Sequence, residues 1–208
     1  MRKLLHLDTS IRVANSVSRQ LSAALVDQLK TTSEATDIIY RDLAANPLPH
    51  LTDVVFTSFG STDVSALSPK QQAEVHESNK ALDEFMAADT IVIGVAFYNF
   101  SIPSSLKAWI DRVIVSGKTF SVDTNGMIGL AGGKRVIVAI ARSGVYSKGS
   151  PYEQCEHAEN YLRDIFSVIG INDLEVVIAE GLAFGPEASA AALQKAKSDI
   201  DTISGLGS

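Results

Sequence analysis

The sequence predicts an α/β domain with a mostly parallel sheet covered by helices on both faces. Three observations lead there. Short runs rich in Ile and Val alternate with stretches of helical periodicity. The runs are almost continuously apolar, as strands buried on both faces must be. A chain of 208 residues with 46% apolar content suits one domain with a substantial core.

The elements follow in order. "KLLHLD" (Lys3–Asp8) is the first strand. The loop Asp8–Arg19 leads to a helix expected to start near Ser16 and to bury Leu21, Ala24, Leu25 and Leu29 at helical spacing. "TDIIYRDL" (Thr36–Leu43) is the second strand. The connection Leu43–Ser68 is too long for an ordinary loop, so it is expected to cover a site or build a subunit contact. "SPKQ" (Ser68–Gln71) reads as a capping box with Pro69 at the first helical position. "DTIVIGVA" (Asp89–Ala96) is the third strand. From Ser104 a helix resumes in which Trp109, Ala108 and Val113 pack, and Asp111 and Arg112 are expected to form a surface or interface charge pair of small energetic value. "KRVIVAIA" (Lys134–Ala141) is the fourth strand. "SPYE" (Ser150–Glu153) repeats the capping design, so a helix containing Cys155 is expected to open there. "LEVVIAEG" (Leu174–Gly181) is the fifth strand. "GPEA" (Gly185–Ala188) opens the last helix, with Glu187 near the positive end of its dipole. Strands alternating with helices imply right-handed crossovers. Length and strand count point to a flavodoxin-like doubly wound five-stranded parallel sheet of order 2-1-3-4-5 in a single domain, residues 1–208.

Composition removes several function classes. The net charge of −6 argues against nonspecific nucleic-acid binding, which needs a dense basic surface. The single cysteine, Cys155, permits no intrachain disulfide and suits a reducing compartment. No long apolar segment precedes Asp8, so no signal peptide is read. No apolar run approaches the ~20 residues that span a bilayer. A soluble, cytoplasmic protein is expected. His6, His50, His76 and His157 are scattered, so no metal site is expected.

In an open α/β sheet, ligands bind beyond the carboxyl ends of the strands. Three loops leave those ends. "DTSIRVANSVSR" (Asp8–Arg19) carries Ser10, Ser16 and Ser18 into a helix N-terminus, which offers free N–H donors and hydroxyls to a phosphate. It has neither a dinucleotide fingerprint nor a P-loop, and Ser16 read by itself is an ordinary helix cap. After the third strand come Phe97, Tyr98, Asn99 and Phe100. If that chain stays extended, its backbone meets the edge of a flat heterocycle, its aromatics cover the ring, and Asn99 adds a donor and an acceptor. The plain alternative is an aromatic plug on the core. After the fourth strand, "ARSGVYSKGSP" (Ala141–Pro151) has Gly144 and Gly149 for close approach to a ligand. Its Arg142 is placed for a ring edge or a phosphate, or else exposed on a turn. On one rim, the three loops describe a flavin mononucleotide site.

The chain resembles the bacterial FMN-dependent NADH azoreductases of the NAD(P)H:quinone oxidoreductase group. The carriers are "RDLAANPLP" (Arg41–Pro49), "LSPKQQ" (Leu67–Gln72), "YNFSIPSSLKAWID" (Tyr98–Asp111), "GKTF" (Gly117–Phe120) with Asn125–Gly126, and "AEGLAFGPE" (Ala179–Glu187). The resemblance implies a homodimer with two FMN near the subunit interface. It implies phosphate binding by Ser10, Ser16, Val17 and Ser18, and ring binding by Phe97, Tyr98, Asn99 and Phe100 and by Ala141, Arg142, Ser143 and Gly144. The chain departs from the family at Ala96-Phe97, often Pro-Met, and at Ser143, often Gly. Val122 stands where a cleft aromatic is usual, and a second cleft aromatic, from the partner subunit, falls at Ile165 or Phe166. These changes bear on substrate range.

The expected activity is hydride transfer from NADH or NADPH through FMN to quinones or azo compounds, both substrates using one cleft in turn. The cofactor carries the hard chemistry. Asn99 and Phe100 act by positioning, Phe100 flanking flat acceptors, and no protein nucleophile is needed. Arg12 or Lys148 is the candidate for a 2′-phosphate. The rival reading is an electron-carrier flavodoxin without dehydrogenase activity. A third, a phosphatase or transferase using the Ser/Thr loop, lacks a nucleophilic cysteine or a metal-ligand cluster.

Overall fold

The structure is a computed structural model that describes residues 2–30, 36–60 and 63–203. Positions 61 and 62 of the predicted Leu43–Ser68 excursion, and positions 1, 31–35 and 204–208 of the predicted domain, lie outside them.

The main sheet has five parallel strands: β1 (Arg2–Asp8), β2 (Thr36–Asp42), β3 (Thr90–Ala96), β6 (Arg135–Ala141) and β7 (Leu174–Ala179). Their order is β2-β1-β3-β6-β7. A separate antiparallel pair, β4 (Phe120–Asp123) and β5 (Gly126–Gly129), lies between β3 and β6 in sequence. Leaving that hairpin aside, the order is compatible with the predicted 2-1-3-4-5. The hairpin is not among the predicted strands, because its residues do not alternate cleanly and Val122, Met127 and Ile128 are exposed.

Side chains alternate across the sheet. Leu5, Leu7, Ile93, Val138 and Ile140 pack with Phe85, Trp109, Leu162 and Phe166 on one face. Leu4, Val92, Ile137 and Val177 pack with Leu21, Leu25, Ala196 and Ile200 on the other. The first face is covered by α3 (Pro69–Ala87), α4 (Ser104–Val113) and α5 (Ala158–Val168), the second by α1 (Val17–Lys30) and α6 (Pro186–Asp201). Trp109 is fully buried, edge-on to Phe85 at 5.8 Å. The Ser68 box caps α3 as its sequence requires, with Gln71 bonding back to the cap. Part of the long excursion folds into α2 (Asp53–Ser58), capped by Thr52.

Two expectations are corrected. Ser150-Pro151 does not open a helix: a 3₁₀ turn at Glu153–Cys155 follows, and α5 starts only at Ala158. Glu156 takes over the cap, its carboxylate accepting from the N–H groups of Ala158, Glu159 and Asn160 at 3.0–3.2 Å. Arg112 does not form a surface pair with Asp111. It is 1% exposed and donates to the carbonyls of Ala108 and His50, while Asp111 bonds Lys107.

The sheet end is built on one close approach. A Cβ at Gly94 of β3 would stand 2.6 Å from Asp8 Oδ1, 2.9 Å from Ser22 Oγ and 3.0 Å from the Ser18 carbonyl. Helix α1 therefore lies directly against β3 and brings its N-terminus to the ends of β1 and β3. Gly94→Ala should destabilise the protein by about 1–3 kcal/mol through overpacking. Gly60→Ala, where the nearest atom is 3.7 Å away, should stay within about 0.5 kcal/mol of the parent. Urea denaturation of both variants checks the contrast.

Candidate functional site

Beyond the ends of β1, β3 and β6 lies a cleft of about 490 Å³. Three loops and the N-terminus of α1 form its walls. Thr9 laces the first two loops together: its N–H and hydroxyl both donate to the Gly94 carbonyl, and its hydroxyl accepts from Ala96 N–H. Ser10 then meets the Tyr98 hydroxyl at 3.4 Å, and Ile11 N–H donates to the same hydroxyl at 3.3 Å. Asn15, with φ 59°, turns the chain into α1. Ser16 and Ser18 stand with their hydroxyls 3.3 Å apart at the helix start.

Of the residues expected to bind a ligand, Ser10, Ser16, Val17, Ser18, Phe97, Tyr98, Ala141 and Ser143 line this cleft. Arg12 lines it too, as a cation at a position proposed for anion contact. Leu182, Ala183 and Ser189 complete the wall; they were not among the expected residues. The backbone brings them in, since Leu182 and Ala183 donate to the carbonyls of Arg142 and Ser143, and Gly181 to that of Gly144. With those carbonyls occupied, and the Arg142 N–H donating to the Ala179 carbonyl, the third loop's offering to a ligand is the N–H groups of Ser143 and Gly144.

The aromatic loop is not extended. Tyr98 and Ser101 exchange both backbone hydrogen bonds at 3.0 Å, and the residues between them, Asn99 and Phe100, have φ of 47° and 69°. This is a two-residue hairpin turn of the type with both central residues left-handed. Asn is at home there, whereas Phe is strained. The N–H groups of Asn99 and Phe100 take no part in the turn's own bonds. Neither side chain lines the floor of the cleft: both are exposed, and Phe100 stands at the rim, edge-on to Tyr146 at 6.0 Å. Phe97 packs on the other side of Tyr146 at 4.7 Å.

Arg142 is neither exposed nor aimed into the cleft. Its side chain is 1% exposed and reaches Glu156 at 3.0 Å, Glu159 at 3.3 Å and Glu180 at 3.6 Å. Its guanidinium also lies 5.5 Å from the Phe97 ring centre. Glu180 in turn accepts from Tyr146 and Ser147 N–H at 2.9 and 3.2 Å. Burial would raise its pKa, but the Ser147 and Tyr146 hydrogen bonds and Arg142 prevail and lower it. Arg142 thus holds the loop after β6 from behind.

The sequence reading also missed a polar network under the first loop. Arg19 donates to both carboxylate oxygens of Asp42, at 2.7 and 2.8 Å, and to the carbonyls of Ser10 and Arg12. The Arg19 hydrogen bonds, joined by those from Ala44 and Ala45 N–H, hold Asp42 down to about 2, and Asp42 raises the Arg19 pKa in return. Tyr40 accepts from Arg19 and donates to the buried Asp8 at 3.0 Å. Partial burial and the Asp8 carboxylate push its phenol up to about 12. The signal available was Arg19 in the first turn of a helix, where a cation opposes the dipole.

A second, apolar groove of about 810 Å³ runs between α2, α4 and α5, lined by Leu51, Phe56, Phe59, Ile114, Tyr161 and Ile165 among others. Of the two candidates for the second cleft aromatic, Phe166 is buried in its own core and only Ile165 faces this groove. Val122 is exposed on β4. Among the described residues, no helix is long and apolar enough to cross a membrane.

A family profile described as flavodoxin-like fold matches residues 2–203. Over 191 residues the chain is 50% identical to the FMN-dependent NADH:quinone oxidoreductase of Methylorubrum populi, covering 92% of this chain and 93% of that protein. It is 48% identical over 202 residues to the protein of that name from Xanthomonas campestris, covering 97% and 98%. Among solved structures it is similar to an azoreductase from Bacillus anthracis, with a TM-score of 0.84, 29% identity, and 98% and 100% of the two chains covered. An FMN-dependent NADH-azoreductase of that species, solved in complex with FMN, superposes with a TM-score of 0.83 at 26% identity, covering 96% and 98%.

Two outcomes are expected. Phe100→Gly relieves the left-handed strain and should stabilise the protein by about 1 kcal/mol, whereas Phe100→Ala should not; urea midpoints distinguish them. Asp42, with its pKa depressed, contributes stability that is complete above about pH 4 and is lost as the pH falls towards 2. The gap in melting temperature between the parent and Asp42→Asn should therefore be largest at pH 5 and shrink by pH 3.

Proposed function

The chain belongs to the flavodoxin-like-fold family and, within it, to the FMN-dependent NADH:quinone oxidoreductases, and we propose that it oxidises NADH or NADPH and reduces quinones and azo compounds with FMN as the hydride carrier. The observation that carries this reading is one cleft in which a hydroxyl-lined helix N-terminus meets two loops from the ends of β3 and β6. Those residues fit FMN. Ser10, Ser16 and Ser18 offer hydroxyls, Val17 and its neighbours offer the unpaired N–H groups of a helix start, and Arg12 supplies a cation. This donor set suits a phosphate monoester.

When bound, FMN supplies the hydride-accepting and hydride-donating chemistry. The chain's part is to bind, orient and tune. Phe97, Tyr98, Asn99 and Phe100 would take one edge of the ring, and Ala141, Ser143 and Gly144 another, with Arg142, whose own N–H and carbonyl are bonded to Ala179 and Leu182, holding that loop in place. The N–H groups of Asn99 and Phe100, left free by the turn, would be available to stabilise negative charge on a reduced ring. Phe100 and Tyr146 form an aromatic wall at the rim that suits flat nicotinamides, quinones and azo compounds alike. Phe97, in place of the family's usual Met, narrows that wall's choice of acceptor.

The reading takes residues 1–208 as one FMN-binding domain working in the cytoplasm. It also takes the apolar groove of α2, α4 and α5 as the contact between two copies, since Phe56, 65% exposed, and its apolar neighbours are costly to leave in water. One cleft serving both substrates in turn means ping-pong kinetics.

The purified protein should be yellow, bleach on anaerobic addition of NADH or NADPH, and recover its colour with a quinone. Double-reciprocal plots at several quinone concentrations should be parallel. Intersecting lines would sink the shared cleft; failure to bleach would favour a plain electron carrier.

A further inference from the structure

Arg19 looks like the natural phosphate ligand of the cleft, a cation in the first turn of α1. Its geometry says otherwise. A guanidinium has five N–H donors, and every one is already used. Nε donates to the Arg12 carbonyl at 3.1 Å. One terminal nitrogen donates to Asp42 Oδ2 at 2.7 Å and to the Tyr40 hydroxyl at 3.2 Å. The other donates to Asp42 Oδ1 at 2.8 Å and to the Ser10 carbonyl at 2.7 Å. No donor is left for a ligand.

The partner is equally fixed. Asp42 ends β2, and its Oδ1 also accepts from Ala44 and Ala45 N–H at 3.0 Å each. The ion pair is therefore a rigid post standing on the sheet. From it, Arg19 holds two carbonyls of the first loop, those of Ser10 and Arg12. A carbonyl oxygen turned into the cleft would repel an anion. Held on the guanidinium, both oxygens are kept away, and the loop presents hydroxyls and N–H groups instead.

We propose that Arg19 is a positioning residue for the phosphate turn: with Asp42 as its anchor, it sequesters the Ser10 and Arg12 carbonyls so that the turn accepts the phosphate of FMN, without itself touching it. This rests on the FMN reading above. It also accounts for a cation placed against the dipole of α1, a local conflict that has a use only if the clamp does. Lysine, a point charge with three donors, cannot serve two carboxylate oxygens, a phenol and two carbonyls at once.

The test separates the phosphate from the ring. Apoprotein is titrated with FMN and with riboflavin, which lacks the phosphate, and flavin fluorescence is followed. In Arg19→Lys, Kd for FMN should rise by about tenfold or more, while Kd for riboflavin changes by less than about twofold. Asp42→Asn, which keeps the shape but loses the two-oxygen grip, should act in the same direction and decides the matter if Arg19→Lys does not fold. FMN affinity that is unchanged in a folded variant overturns the clamp. Tighter FMN binding in Asp42→Asn also overturns it, since a freed Arg19 would then be reaching the phosphate. An equal loss for both flavins reduces Arg19 to general stability and overturns it as well. If the unaltered protein binds neither flavin, the FMN reading falls and the clamp's purpose falls with it.

Discussion

The site depends on how closely α1 lies against β3. At Gly94 there is no room for a Cβ, because the space is filled by the Asp8 carboxylate, the Ser22 hydroxyl and the Ser18 carbonyl. A buried carboxylate is costly unless its oxygens are satisfied. Here Ser22 donates to one oxygen and Tyr40 to the other. Satisfying Asp8 thus ties α1, β1, β2 and β3 together at one point. The N-terminus of α1, with its unpaired N–H groups, is delivered to the mouth of the sheet as a consequence. Tyr40 passes the network on to Arg19, and Arg19 to Asp42 and the first loop. The floor of the cleft is one connected polar structure.

The loops after β3 and β6 are organised by the opposite arrangement, an arginine surrounded by acids. Arg142 is enclosed by Glu156, Glu159 and Glu180, and each acid has a second task. Glu156 caps α5, Glu159 pairs with Arg163, and Glu180 fixes the N–H groups of Tyr146 and Ser147. The start of α5 is also bonded to the aromatic turn, since His157 N–H donates to the Phe100 carbonyl. The turn that strains Phe100 is therefore held from the helix side as well as by its own two hydrogen bonds. Strain of this kind persists only where the surroundings over-determine it.

The β-rich runs made the sheet legible, because a strand buried on both faces leaves few polar residues to confuse its reading. Ser68–Gln71 and Gly185–Ala188 were legible for a similar reason: each start is set locally, the first by a cap bond between near neighbours and the second by Pro186 at the first helical position. Ser150–Glu153 has the same letters and a different outcome, because Glu156 captures the free N–H groups of α5 while also answering Arg142, fourteen residues away. Local patterns do not show such competition. Nor do they show a left-handed Phe100, since backbone sign is readable chiefly where glycine permits it. That the serines of the first loop line the cleft was legible from the loop's place after β1. Arg19, Asp42 and Tyr40 were not, because what joins them is the pairing of β1 with β2, a tertiary fact.

The arginines reveal how the chain arranges its charge. Arg19 and Arg142 border the cleft and Arg112 lies buried in α4, and each turns its terminal nitrogens to the protein: to Asp42 and loop carbonyls, to the Ala108 and His50 carbonyls, and to a trio of glutamates. Arg12 is left lining the cleft itself. If the cleft takes an anion, as proposed, it draws its attraction mainly from oriented N–H groups, hydroxyls and a helix dipole, with formal charge used to set their directions. Fixed dipoles bind best when they cannot relax, so the binding strength of such a site is set less by its contact residues than by the ion pairs behind them. A chain with a net charge of −6 has reason to work in this manner. Long-range attraction for an anion is weak, and selectivity has to come from donors held in place.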